Sequence, residues 1–167
     1  PIIKSAEYDR MAAFCFDELR MNVTYSPHEF YRGGWAFLPT PFLGMGPDSP
    51  EYEKALVSCY RAYIAHIKKK GWYDRVVMYI SDEPHCHSNE TITANLAHSC
   101  DLIRKADPDA KIYASTWQRF NGLIGHLNVW GAGPHGSFKV EEMREQKEMG
   151  DTIWFTTDGH MCIDTPY

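Results

Sequence analysis

The sequence lacks three features that mark whole classes of protein. Its 17 basic and 22 acidic residues form no block of one sign, so no surface for nucleic-acid phosphates or anionic membranes is predicted. No run of about 18 apolar residues is present, so no membrane-spanning helix is predicted. The first ten residues, PIIKSAEYDR, lack the apolar core of a signal peptide. The sequence therefore leaves the localisation open.

The five cysteines also lack a pairing pattern, since no Cys-x-x-Cys pair is present. An odd number without that spacing predicts neither a disulfide framework nor a zinc finger. We expect most of these thiols to be small, buried, hydrophobic side chains.

The chain does contain a regular alternation of helices and short apolar segments. The apolar spacing predicts helices near 6–20, 50–70, 90–106 and 140–149. The segments between them lie near 22–26, 75–81, 111–115, 127–132 and 152–157. Near-continuous apolar runs are typical of strands buried on both faces, so the pattern predicts an α/β fold with a parallel sheet. With 167 residues, 44% of them hydrophobic, the chain can form one core.

Two helix details are also predicted. Ser49 stands where a side chain can cap the helix near 50–70. The first helix is expected to bury one stripe of its surface. That stripe consists of Tyr8, Met11, Ala12, Cys15 and Leu19.

The segment YISDEPH, residues 79–85, places two acids directly after a predicted strand. Functional groups in parallel α/β sheets gather at the carboxyl ends of the strands, where Asp82 and Glu83 stand. Pro84 ends the strand and favours an extended backbone at Glu83. The pair is therefore a candidate for acid–base and electrostatic catalysis. The alternative is a structural acidic turn in which one acid caps the next helix.

Aromatic residues recur near the same edge of the predicted sheet. Trp117, Trp130 and Trp154 each lie in or just after a different predicted strand. Any single one could fill the core instead, but recurrence on three strands favours a platform on which sugar rings stack. Loop 26–49 is rich in glycine, proline and aromatics, which is typical of a substrate-lining loop. Tyr31 and Trp35 are its candidate contacts.

An ordered series of motifs resembles a known family. The series YISDEPH, LIRKADPDAKIYAS, NVWGAG and TIWFTTDGHMCIDTPY is similar to the catalytic barrel of glycoside hydrolase family 123 and of related bacterial glycoside-hydrolase-like proteins of unknown function. The resemblance implies a (β/α)8 barrel of the TIM type, of which this chain holds a partial set of β/α units. Residues 1–167 would then be part of a single catalytic domain that lacks units at both ends.

The same resemblance implies an activity. Family members of this type are retaining β-N-acetylhexosaminidases, with N-acetylgalactosamine as the sugar in the named members, and the substrate's own acetamido oxygen is the nucleophile. The adjacent acids map onto Asp82, which would hold the acetamido group, and Glu83, which would protonate the leaving oxygen. A carbohydrate is the implied partner, with no cofactor and no metal. The candidate substrate contacts are Tyr31, Trp35, Trp117, Trp130, Trp154 and His135.

Two other interpretations stay open. His85 and His87 form a His-x-His after a strand, which resembles the start of the metal site in metal-dependent hydrolase barrels. Further ligands would then come from Asp82, Glu83, Cys86, His126, His135 and His160. A non-catalytic partial barrel that only binds carbohydrate is the other alternative. Its open sheet edges would be covered by a second copy or by segments outside this chain.

Overall fold

The structure is a computed structural model that describes residues 5–33, 41–84, 90–133 and 139–155. Five strands form one sheet. They are β1 (Thr24–Tyr25), β2 (Val76–Asp82), β3 (Ile112–Trp117), β4 (Val129–Ala132) and β5 (Thr152–Phe155). The helices are α1 (Ala6–Ala13), α2 (Pro50–Lys69), α3 (Glu90–Ala106) and α4 (Val140–Glu148). No helix within these ranges is both long enough and apolar enough to cross a bilayer.

The strands lie in sequential order and every neighbouring pair is parallel. Helices α2, α3 and α4 connect β1 to β2, β2 to β3 and β4 to β5, whereas a short 3₁₀ turn, Asn121–Leu123, lies between β3 and β4. The sheet is curled into a half-barrel. The predicted α/β class and parallel sheet are thus confirmed, while the described residues form no closed eight-stranded barrel. What covers the edge strands β1 and β5 stays a prediction.

The two faces of the sheet carry different side chains because successive strand residues alternate between faces. One face packs against the helices and holds most of the core, including Leu56 of α2 and Leu96 of α3. The other face, which we call the inner face, carries a smaller cluster. Its buried members are Val77, Tyr113 and Val129, with Val23, Tyr79 and Trp154 packed against them.

The start of α2 differs from the prediction. Ser49 occupies the capping position, but its side chain makes no capping bond and its Oγ is buried without a hydrogen-bond partner. The main chain serves instead, because the Tyr52 N–H donates to the Ser49 carbonyl oxygen at 3.1 Å. Pro50 at the first helical position has no N–H that needs a partner.

The predicted stripe of the first helix is also partly wrong. Met11 and Leu19 are exposed, while Ala12 and Phe16 are buried. For Leu19, which follows α1, the reason is that the helix widens at its end into a π-helical turn, Phe14–Glu18. A π turn holds more residues than an α turn, so residues beyond it leave the expected face.

An ion-pair cluster joins α1 to α2. Asp9 Oδ1 lies 2.7 Å from His66 Nε2, and Asp9 Oδ2 lies 2.8 Å from Lys70 Nζ. Burial raises the pKa of Asp9, but the hydrogen bonds from Lys70 and His66 outweigh burial and hold that pKa below its usual range. Ionised Asp9 is therefore a stabilising contact for the N-terminal helix.

We expect the contribution of Asp9 to be lost at low pH. Its pKa is lower in the folded than in the unfolded chain, so the stabilisation is fully present above the unfolded pKa and disappears as pH falls through the folded pKa. Asp9→Asn should therefore lower the free energy of unfolding by about 1 kcal/mol at pH 7. The difference from wild type should shrink towards zero in acid. Denaturant unfolding across the pH range checks this.

Asp48→Asn is the matched control, because Asp48 is an exposed carboxylate in the loop before α2. It should change stability little at any pH. A difference between wild type and Asp9→Asn that stays constant down to strongly acidic pH would contradict the ion-pair account.

Candidate active site at the carboxyl ends of the strands

A β-bulge brings Asp82 to the inner face. Tyr79 pairs with Tyr113 of β3, but the next pair in register is Ser81 with Ala114, so β2 has one residue more than its neighbour. Regular alternation from Tyr79 would place Asp82, three residues later, on the helix-facing side. The bulge places Asp82 on the inner face instead. Asp82 therefore lies on the same face of the sheet as Tyr79 and Tyr113.

The main chain of Asp82 is held by the loop that follows β1. Its N–H lies 3.1 Å from the Tyr31 hydroxyl and 3.3 Å from the Gly33 carbonyl oxygen. The N–H groups of Arg32 and Gly33 donate in turn to the Ile80 carbonyl oxygen. This loop therefore fixes the end of β2 and places Tyr31 beside the acid pair.

Two residues at this edge have left-handed backbones. Glu83 has φ +48° and Trp117, at the end of β3, has φ +58°. The Glu83 N–H donates to the Ser115 carbonyl oxygen at 2.8 Å, which extends the ladder by one bond before the chain turns away. The predicted extended backbone at Glu83 is therefore wrong. Left-handed residues other than glycine cost about 1 kcal/mol or more and concentrate at functional sites.

Four aromatic side chains form a continuous layer across the inner face. We call Tyr25, Tyr79, Tyr113 and Trp154 the aromatic layer. Ring centroids are 4.7 Å apart for Tyr25 and Tyr79, 5.1 Å for Tyr79 and Tyr113, and 5.2 Å for Tyr113 and Trp154. These separations are typical of stabilising aromatic pairs. Tyr79 belongs to β2, the strand that carries Asp82 at its end.

The tyrosines near Asp82 are held in the protonated state. Burial raises the pKa of Tyr79 and of Tyr113 well above the usual range, and the charge of Asp82 raises both further. Burial also raises the pKa of Tyr31, with smaller effects from the charges of Asp82 and Glu83. All three hydroxyl groups are thus available as hydrogen-bond donors at neutral pH.

The structure brings some of the predicted contacts to this edge. Tyr31 contacts Asp82 directly, and Trp154 packs in the aromatic layer with part of its surface exposed. Trp117 ends β3 at the same edge and is half-buried. Trp35 and His135 lie outside the described residues.

Trp130 is not brought to the inner face. Its side chain is fully buried in the core against the helices, and its Nε1–H donates to Asp151 Oδ2 at 2.8 Å. The residue of β4 that lies on the inner face is Gly131, the neighbour of Trp130, and it pairs with Trp154 of β5. A side chain without exposed surface has nothing to offer a bound sugar.

The predicted metal ligands are not assembled in the described part of the chain, where no group of three or more metal-binding side chains exists. His126 precedes β4 and lies at the opposite end of the strands from Asp82, with its Nδ1 3.0 Å from Asp101 Oδ1 of α3. It cannot complete a site with the acid pair. The other candidate ligands outside the described residues are His85, Cys86, His87, His135 and His160.

A cavity of about 500 Å³ lies elsewhere, on the helix side. Its walls include Tyr8 of α1, Phe30, and Tyr63 and His66 of α2. Active sites of parallel α/β folds lie at the carboxyl ends of the strands. The walls of the cavity include neither Asp82 nor Glu83, so the cavity is separate from the acid pair.

Sequence reasoning missed Tyr79, Tyr113 and Gly131. A Cβ on Gly131 would lie 2.6 Å from the Tyr113 hydroxyl oxygen, so the missing side chain makes room for the aromatic layer. The available signal was tyrosine at alternate positions of apolar strands, together with a glycine inside NVWGAG.

A curled parallel sheet with acids and aromatic side chains at its carboxyl edge is the arrangement of (β/α)-barrel enzymes. The family model for the glycoside hydrolase 123 catalytic domain matches residues 39–163, and the chain belongs to this family. The family resemblance is thus confirmed.

Among solved structures, the chain is similar to a family 123 glycoside hydrolase from Clostridium perfringens, which was studied for glycolipid glycan hydrolysis. The two share 14% sequence identity with a TM-score of 0.47. The likeness covers 70% of this chain but 21% of that chain, so this chain spans a small part of that protein's length. A comparison with curated protein sequences finds no match.

We expect Gly131→Ala to disrupt the aromatic layer. The added Cβ would meet Tyr113 Oη at 2.6 Å, Tyr113 Cε2 at 2.9 Å and the main-chain oxygen of Ala114 at 3.0 Å. Because the main-chain oxygen cannot easily move, the Tyr113 ring must shift from its place in the layer. Overpacking of this kind lowers the free energy of unfolding by about 1–3 kcal/mol. Denaturant unfolding, followed by tryptophan fluorescence, measures the effect.

Gly46→Ala is the matched control, because no heavy atom lies within 4 Å of its added Cβ. It should leave stability nearly unchanged. Adding Tyr113→Phe to Gly131→Ala removes the closest contact and should restore part of the loss. Equal effects of Gly131→Ala and Gly46→Ala would refute the packing argument.

Proposed function

We propose that the chain is part of the catalytic domain of a retaining glycoside hydrolase that removes β-linked N-acetylhexosamine, of the N-acetylgalactosamine type. Catalysis would be substrate-assisted and would use Asp82 and Glu83. The observation that carries the proposal is the position of this acid pair at the carboxyl end of β2 in a chain of the glycoside hydrolase 123 family. A carbohydrate substrate follows from the same family membership.

The adjacency of the acids favours substrate assistance over a carboxylate nucleophile. A retaining enzyme with its own nucleophile needs two carboxyl groups about 5–5.5 Å apart on either side of the scissile bond. Neighbours at one strand end are poorly placed to flank a sugar in that way. When the acetamido oxygen of the substrate attacks instead, both acids can act from the same side of the cleft.

Glu83 is the proposed general acid and base. It would protonate the glycosidic oxygen as the bond to the anomeric carbon breaks, and would then take a proton from the water that opens the intermediate. Its left-handed backbone and its N–H bond to β3 fix where the chain leaves the strand. Pro84 limits further backbone freedom.

Asp82 is the proposed partner of the acetamido group. Its carboxylate would accept a hydrogen bond from the acetamido N–H and stabilise the positive charge of the oxazolinium intermediate. The bonds from its N–H to Tyr31 and Gly33 hold it in place before substrate arrives. Such preorganisation is a large part of electrostatic catalysis.

The sugar would be bound by aromatic side chains around the pair. Tyr31 contacts the main chain of Asp82, and Trp117 ends the neighbouring strand. Trp154 is the described candidate from the aromatic layer. Trp35 and His135 remain proposed contacts from the loops.

The loss of kcat in Glu83→Gln should depend on the leaving group of the substrate. Loss of the proton donor should lower kcat by about 100-fold or more on substrates with poor leaving groups such as sugars. The loss should be much smaller on activated aryl β-N-acetylgalactosaminides, whose phenolate departs without protonation. Steady-state kinetics on both substrate types in the intact protein tests this.

Glu148→Gln is the control, since Glu148 is exposed at the end of α4. It should leave both activities unchanged. An equal loss on both substrate types for Glu83→Gln would rule out its role as general acid.

Asp82→Asn should reduce hydrolysis of both substrate types alike, by about 100-fold to 1,000-fold, because its partner is the acetamido group and not the leaving oxygen. A thiazoline that mimics the oxazolinium intermediate should inhibit the wild-type protein and bind Asp82→Asn more weakly. Inhibition constants measure this. Activity lost on chelation and restored by zinc, without thiazoline inhibition, would instead assign the site to His85 and His87.

A further inference from the structure

We propose that the cavity on the helix side binds an organic ammonium ion, which is a cation that carries apolar substituents. The cavity has a volume of about 500 Å³, which is within the range of small-molecule sites. Its walls combine aromatic rings with carboxylates, and both groups attract a cation of this kind. The inference concerns a site apart from Asp82 and Glu83 and does not depend on the function proposed for them.

Four aromatic side chains line the cavity. We call Tyr8 of α1, Phe30, Phe42 and Tyr63 of α2 the aromatic cage. Ring centroids are 5.6 Å apart for Tyr8 and Tyr63, 5.3 Å for Phe30 and Tyr63, and 6.4 Å for Phe30 and Phe42. Each ring packs against another, so the cage is formed before a ligand arrives. A cation within about 6 Å of a ring centroid is attracted by the face of the ring.

The polar groups among the buried walls carry no negative charge at neutral pH. The hydroxyl oxygens of Tyr8 and Tyr63 lie 2.6 Å apart and share a hydrogen bond. Burial raises the pKa of both hydroxyl groups above the usual range, so both stay protonated. Burial likewise raises the pKa of the thiol of Cys59, another wall residue. The charge of the walls must therefore come from other side chains.

Two glutamates supply that charge. Glu7 and Glu29 both belong to the walls, and both are exposed, so they mark the side on which the cavity meets solvent. Neither carboxylate has an ion-pair partner in the part of the chain that the structure describes. The described walls also include no lysine or arginine. A bound ammonium ion would thus bring the opposite charge that these carboxylates lack.

The nearby basic side chains are engaged with other partners. His66 is a wall residue, and its Nε2 lies 2.7 Å from Asp9 Oδ1. Arg32 is not among the described wall residues. Its guanidinium lies 5.4 Å from the Phe42 ring centroid and donates to the Tyr52 hydroxyl and to main-chain oxygens of its own loop. Neither group neutralises the two glutamates, so the cavity favours a cation over an anion.

Three probes of similar shape and different charge test this preference by NMR titration of the intact protein. Choline is the cation, neohexyl alcohol is its neutral isostere, and the carboxylate of tert-butylacetic acid is the anion. Choline should bind saturably and about 10-fold more tightly than the alcohol, because the rings and the glutamates act on its charge. The anion should bind most weakly. Shifted resonances should include those of Tyr8 and His66.

Glu7→Gln combined with Glu29→Gln should weaken choline binding by about 3-fold to 10-fold, since two attractive charges are lost. The affinity for neohexyl alcohol should stay unchanged. The matched control is Glu141→Gln combined with Glu148→Gln, because both residues are exposed on α4 and the change in net charge is the same. The control should leave binding of all three probes unchanged.

Two substitutions of Tyr8 separate its ring from its hydrogen bond. Tyr8→Leu and Tyr8→Phe both remove the hydroxyl that is bonded to Tyr63, but only Tyr8→Phe keeps an aromatic face. Choline should bind Tyr8→Leu about 3-fold to 10-fold more weakly than Tyr8→Phe. Neohexyl alcohol should bind the two variants nearly alike. Their melting temperatures show whether both remain folded at the temperature of the titration.

The proposal is supported by a preference for choline that falls with the two glutamates and with the Tyr8 ring. Equal affinities for choline and neohexyl alcohol would overturn it, because the cavity would then be a purely apolar site. Saturable binding of none of the probes would overturn it as well, and so would unchanged choline binding in the Glu7 and Glu29 double variant. None of these measurements uses glycoside hydrolysis, so a failure of the proposed function would leave the test intact.

Discussion

The one extra residue in β2 is the constraint on which the candidate site depends. Without it, Asp82 would face the helices, where a carboxylate would be buried in an apolar core at a cost of several kcal/mol. With it, the acid lies on the inner face, which also carries Tyr79. The loop after β1 then closes on the bulged strand through the main-chain bonds of Arg32 and Gly33 to Ile80. Strand, loop and acid are thus fixed by one backbone irregularity.

The aromatic layer packs on the inner face of the sheet, beside the bulged strand. Large rings on β1, β2, β3 and β5 fill the space in front of the sheet, and β4 contributes a glycine where a side chain would collide with Tyr113. The inner face is therefore both packed and polar, since each of its three tyrosines carries a hydroxyl group. Aliphatic side chains of similar volume would fill the same space but would offer no hydrogen-bonding group.

Apolar periodicity was sufficient to predict the helices, the strands and their parallel order. The spacing of apolar residues indicates which face of a helix is buried, and Leu56 of α2 and Leu96 of α3 lie on such faces. The family resemblance was also predictable from the ordered motifs. One cause of the misses is that bulges and π turns change register without changing composition. Phe16 is buried in place of Leu19 for this reason. Trp130 was misplaced because its neighbour Gly131, and not the tryptophan, lies on the inner face.

The proposed action of both adjacent acids on one sugar requires an irregular backbone. Neighbours in a regular strand lie on opposite faces, so two consecutive carboxylates could not serve one bound sugar if β2 continued without change. The chain departs from regularity on both sides of the first acid: a bulge precedes Asp82, and Glu83 adopts a left-handed conformation before Pro84. Each departure costs free energy that the surrounding hydrogen bonds to Gly33 and to β3 must offset. Irregularity of this kind is expected where function, and not packing, selects the conformation.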